Sequence, residues 1–386
     1  MNERARLAPL DNLRTLAIVS VVAYHLYVFS DLGSMPHWLE FTLLQGWMGV
    51  DLFFVLSGYL IGAQFLRPAA RGQQPSLGAF YRDRAFRILP AYFAVLALYV
   101  LLPGWRETAQ MAPAWKFFTF TENILPNALM TRSFSHAWSL CVEQHFYLVF
   151  PLLALGMLRR PSLRRTAALL AGVVLAGIGL RCFVWLHLLL PQFRAHQSFG
   201  MNYMAYLYYP TYCRLDGLLV GVALATMQLF RPALWLVFTR RANLCLLAGL
   251  ALFAVSVWMY VDRWRSATGV AAVGVVFGPL VLSTGLGLCL LASLGEGGLA
   301  ARIRIPGAKQ IALLAYTLYL THKQMIHLVD AAFPALHAWN QLAWVGVYLL
   351  FCFAASLTLY FSVERPLLRL RARLRRSQLQ KELQLQ

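Results

Sequence analysis

Seven residues that can hold a charge or move a proton stand where the chain around them is almost wholly apolar: Arg14, His25, Asp51, Glu143, Arg214, Asp216 and His322. On insertion scales a charge at the centre of a lipid-crossing helix costs roughly 2.5–3.5 kcal/mol, a large part of a folding stability of about 5–15 kcal/mol. Such residues persist where they pair or line a polar cavity. Ten residues separate Arg14 from His25, and eleven helical steps of about 100° bring the second nearly back to the azimuth of the first, about 16 Å further on. One helix face then carries a cation near one surface and an imidazole beyond mid-membrane. Counted in from the ends of their own apolar runs, Asp51, Glu143 and His322 reach a depth near that of His25, which predicts a common site.

The chemistry these types offer is proton transfer, used in acid–base catalysis and in proton-coupled transport alike. An imidazole with an ordinary pKa near 6.5 serves as general base or as transient acyl carrier, and a carboxylate, Glu143 or Asp51, can orient its ring. Arg14 is assigned to an anionic donor or to the surroundings of His25. Arg82, Arg84 and Arg87 precede the third apolar run, where guanidinium groups meet phosphates of a cofactor or of lipid. Ser57, in FVLSGYL, lacks the elbow motif of a serine nucleophile and reads as a donor contact. Arg214 and Asp216 are expected to pair with each other or, with His322, to contact the acceptor. No Walker-type loop, His-Glu-x-x-His string or close cysteine pair occurs in the sequence, so no metal is expected. The six cysteines read as packing residues.

The elements that must position these groups are membrane helices. The chain of 386 residues is 60% hydrophobic and 13% charged, against about 45–50% and about 25% in soluble domains. Apolar runs long enough to cross about 30 Å of hydrocarbon recur at Leu13–Ser30, Gly46–Leu66, Ile88–Pro103, Trp138–Leu158, Thr166–Leu190, Thr211–Phe230, Asn243–Val261, Val270–Ser293, Ile311–Asp330 and Leu342–Val363. The expected architecture is all-α and polytopic, about ten spans forming one domain over residues 1–386, with the first run a retained anchor. Placing both termini in the cytoplasm puts 24 of the 34 Lys and Arg in inner segments and six in outer loops, as the positive-inside rule asks. The formal charge of +19 is thereby explained by membrane orientation and not by nucleic acid. The basic tail over about residues 365–386 reads as an amphipathic helix on anionic lipid. Glu364 and Arg365 cap the last span. Gly58/Gly62 and Gly217/Gly221 have the spacing of close helix contacts.

Seven strings carry a further likeness: LDNLRTLAIVSVVAYH, GVDLFFVLSGYLIG, FYRDRAFRILPAY, HAWSLCVEQHFYLVFP, CRLDGLLVG, YTLYLTHK and SVERP. In this order, over nearly the whole chain, they resemble the membrane-bound acyltransferase 3 family, whose first helix carries Arg, ten residues, then His. The chain departs from that family's pattern at Gln144, His145 and Lys323, to which no role is carried. The resemblance implies an acyl-coenzyme A donor, commonly acetyl-CoA, used at the cytoplasmic side of a bacterial inner membrane. It also implies O-acylation of a cell-surface glycan or lipid-linked sugar. The alternative read from the intramembrane charges is a proton-coupled secondary transporter or exporter of a glycan or small molecule.

Overall fold

The computed structural model describes residues 3–30, 32–33, 35–124, 133–195, 199–262 and 269–384. Among these no strand occurs. Ten long helices follow in chain order: α1 (Glu3–Phe29), α2 (Gly49–Ala70), α3 (Leu77–Leu101), α4 (Ala137–Arg159), α5 (Leu163–Val184), α6 (Asp216–Phe230), α7 (Ala242–Asp262), α8 (Gly269–Ser293), α9 (Ala308–Ala332) and α10 (Gln341–Leu359). An eleventh, α11 (Arg365–Gln384), continues from the last. Apolar side chains cover the lipid-facing sides, as on Leu148, Leu247 and Leu350. With no water in the hydrocarbon, each helix satisfies its own backbone internally.

Eight stretches, containing all of the ten except α6 and α9, are long and apolar enough to cross a membrane. The two that fall short do so for different reasons. Helix α6 has 15 residues, a rise of about 22 Å, because the chain before Asp216 is a separate turn at Thr211–Cys213. It reaches span length only with Pro232–Arg240, which leaves it at a bend of 112°. Helix α9 is 25 residues long, but Thr321, His322, Lys323 and Gln324 lower its hydropathy, and all four are buried where α9 packs against α1 and α10.

A second departure concerns the arginine run. The three arginines do not precede the third span but lie within its helix: Ser76 accepts from the Ala79 amide at 3.2 Å and caps a single helix from Leu77. Arg82, Arg84 and Arg87 therefore belong to the first three turns of α3.

The bundle has two faces. The basal face, where α1 begins, joins α1 to the start of α9 through Asn12 Nδ2 to Ile303 O at 2.8 Å and Thr15 Oγ to Ala308 O at 2.9 Å. On the opposite, distal face Tyr27 donates to Glu40 at 2.5 Å and Asn123 Nδ2 to Tyr209 O at 3.0 Å. Glycines set the tightest contact in the core. A side chain at Gly58 would run into the Leu218 carbonyl, and one at Gly221 into that of Val55, so α2 and α6 lie backbone to backbone.

Candidate active site

His25 is half-buried on the last turns of α1, and its neighbour is another histidine. His322 Nε2 lies 3.0 Å from His25 Nδ1. Each ring also faces carbonyls through its own Nδ1: His25 that of Val21 at 3.0 Å, His322 those of Tyr319 at 2.9 Å and Leu318 at 3.2 Å. A carbonyl only accepts, so in the neutral pair both Nδ1 atoms carry the proton. His322 Nε2 then accepts from His25 Nδ1–H, and His25 Nε2 is left with a free lone pair. In that state His25 Nε2 can accept a proton.

The two carboxylates expected beside this ring lie elsewhere: among the described residues neither Glu143 nor Asp51 reaches it, and His322 takes that place. His322 is itself fully buried. His136, at the start of α4, packs edge-on against His322 at 5.3 Å. Lys323 donates to Ser135 Oγ at 2.7 Å, pairs with Glu107 at 3.8 Å and sits 4.5 Å over the Phe29 ring. Phe29 stacks on His25 at 5.8 Å. The segment between α3 and α4 is thereby tied to the rim of the histidine pair.

Asp51, Arg214 and Asp216 lie in a different arrangement. Arg214 Nη2 bonds both oxygens of Asp51 at 2.9 and 3.0 Å, and its guanidinium lies 4.7 Å over Tyr208. Asp216 takes two bonds from Arg181, at 2.7 and 3.1 Å, while Arg181 also donates to the Val276 and Cys213 carbonyls. Arg214 and Asp216 do not pair with each other, and all four residues are 5% exposed or less. These are buried ties between α2, α5, α6 and α8. They hold the bundle and offer no face to an acceptor.

Toward the basal face a third group gathers on α1, α2, α3 and α4. Ser57 donates to Glu143 Oε1 at 2.5 Å, and Tyr147 to Oε2 at 2.9 Å. Arg84 Nη2 donates to Gln64 at 2.7 Å, Arg87 pairs with Glu364, and Arg14 with Asp11 at 3.2 Å. The charges of Arg87 and Arg14 act on each other, as do those of Arg87 and Arg84. Arg14 and Arg87 are each about one-third exposed, and Arg82 is half-buried nearby on α3. Three guanidinium groups from two helices thus converge beside a serine and a carboxylate.

Sequence reasoning missed His136, Arg181, Glu107 and Tyr147. Of these, Arg181 alone carried a usable signal, a cation within an apolar run.

Residues 7–362 match the membrane-bound acyltransferase 3 family, described as an acyltransferase domain. The chain belongs to this family. O-acetyltransferase OatA of Staphylococcus aureus strain NCTC 8325 is 31% identical over 228 residues, 56% of this chain and 34% of that protein. Peptidoglycan O-acetyltransferase OatA of Listeria monocytogenes is 31% identical over 229 residues, 56% of this chain and 33% of that protein. The chain therefore spans about a third of the length of these curated relatives. No solved structure matches it. For an acyltransferase of this family, the spacing of Arg14 and His25 on one helix face now has its structural partners: the basal guanidinium cluster for the first, the second imidazole for the other.

Proposed function

We propose that the protein transfers an acetyl group from cytoplasmic acetyl-CoA to a hydroxyl of a cell-surface glycan. The observation that carries this reading is the His25–His322 pair, which leaves one imidazole nitrogen unprotonated at a half-buried position on the Arg14 helix. The names of the relatives, both O-acetyltransferases and one of peptidoglycan, support a glycan acceptor.

In this reading the basal face is cytoplasmic. Donor phosphates meet Arg14, Arg82, Arg84 and Arg87, where several guanidinium groups give charge-assisted and bidentate hydrogen bonds. Ser57 and Glu143 flank the arm that carries the thioester inward, over the rise of about 16 Å from Arg14 to His25. As the acceptor oxygen bonds to the thioester carbonyl carbon, its proton passes to His25 Nε2. The C–S bond then breaks, the thiolate takes the proton back, and free thiol and ester leave. Positive charge forming on His25 is shared with His322 through Nδ1–H, the role a carboxylate takes in hydrolase triads.

Mass spectrometry of surface glycans from cells with and without the chain tests class and acceptor together. The expected result is an acetyl-sized mass lost from one glycan when the chain is absent; identical glycans in both strains would contradict the proposal.

A further inference from the structure

The last span does not pass smoothly into α11. Over Tyr360–Glu364 the helix widens to a π turn, an insertion often found where a side chain must be re-aimed for function. The residue it aims is Glu364. Its side chain is 1% exposed, and its Oε1 pairs with Arg87 Nη1. Its Oε2 is buried with no hydrogen-bond partner among the described residues. A buried carboxylate with one oxygen unsatisfied costs stability, so as an anchor of the helix end the pair is poorly built. As a director of Arg87 it is well built. The carboxylate sits behind the guanidinium on the buried side, while Arg87 keeps about a third of its surface open. It also offsets one of three like charges, since Arg87 acts on both Arg14 and Arg84. On α11, Arg371 reaches back to α3 but donates to the Asp83 carbonyl at 3.4 Å, not to Glu364.

We propose that Glu364 is a positioning residue of the donor site: it holds the Arg87 guanidinium in the direction from which Arg87 binds donor phosphate. This rests on the donor reading above and gives a role to the SVERP string, which the sequence alone places at a helix end.

The test uses the full chain in lipid nanodiscs with a chito-oligosaccharide acceptor and two donors, acetyl-CoA and S-acetylpantetheine, which carries the same thioester without phosphates. Glu364→Gln is expected to raise the KM for acetyl-CoA about tenfold with kcat held within about twofold, and to leave the KM for S-acetylpantetheine unchanged. Glu364→Asp restores most of the loss. In an Arg87→Met background, Glu364→Gln adds nothing further, because the residue acts through Arg87. The proposal is overturned if Glu364→Gln lowers kcat equally with both donors, if it leaves the acetyl-CoA KM unchanged, or if its effect persists undiminished without Arg87. A wild-type protein that turns over neither donor would bring down the donor reading itself. Normal use of acetyl-CoA with an indifferent Glu364→Gln defeats only this inference.

Discussion

At the scale of single residues the account turns on which atom of His25 carries its proton. Because His322 Nε2 shares the Nδ1 proton of His25 with the Val21 carbonyl, replacing it should lower kcat by the share of that acceptor lost. His322→Leu is expected to reduce kcat on the order of 10²-fold, within the range of a general base, and His322→Gln, whose amide oxygen still accepts from Nδ1–H, to reduce it less. Steady-state rates at saturating donor check the ordering, and equal losses in the two variants would argue against tautomer control. His25 and Arg14 were legible in the sequence because burying a charge or an imidazole in lipid needs a reason, and ten intervening residues return both to one helix face. Of the three groups placed at the depth of His25, His322 is its neighbour and the two carboxylates are not. Depth can be counted from a sequence, but azimuth cannot, so Asp51 and Glu143 looked like neighbours of His25 when Asp51 faces Arg214 and Glu143 faces Ser57.

Elements hold these residues through contacts that tolerate little change. Arg181→Met would leave Asp216 buried without its counter-ion, at a cost of about 3–5 kcal/mol, and is expected to lower the melting temperature of the protein in detergent while Asp216→Asn in the same background recovers part of it. Gly58→Ala should be worse tolerated than Gly172→Ala, since a side chain at Gly58 meets backbone and one at Gly172 meets open space. The segment between α3 and α4 contributes a pH dependence. Burial pushes the Glu122 carboxyl up to about 8 from its ordinary 4.5, opposed by Lys116. The folded chain thus holds a proton that the unfolded chain has lost, and stability falls as pH rises between these values, reaching its floor above about 8. Glu122→Gln should flatten that decline in thermal melts recorded from pH 6 to 9; an unchanged slope would show that Glu122 does not carry it. The helices themselves were readable from apolar length, and the glycine spacing from its period. The start of α3 and the shortness of α6 were not, because a capped helix can begin in polar sequence and an apolar run can be divided by a turn.

For the whole molecule, the distribution of Lys and Arg predicts that the basal face is cytoplasmic. Cysteines introduced at Gln73 and Gly104, exposed on opposite faces, in a background without native cysteines, test this with a membrane-impermeant thiol reagent. Gly104→Cys should label in intact cells and Gln73→Cys only after lysis; the reverse pattern would invert the donor and acceptor sides. The bundle has a guanidinium cluster at one face and a paired imidazole toward the other, joined by a single helix. Purified protein in lipid nanodiscs, given acetyl-CoA with and without a glycan acceptor, puts that arrangement to its most direct test through the release of free thiol. Acceptor-dependent release by the wild type, reduced at least about 10²-fold in a normally melting His25→Ala variant, is the predicted result; near-normal release by that variant would contradict the assignment of His25 as the base.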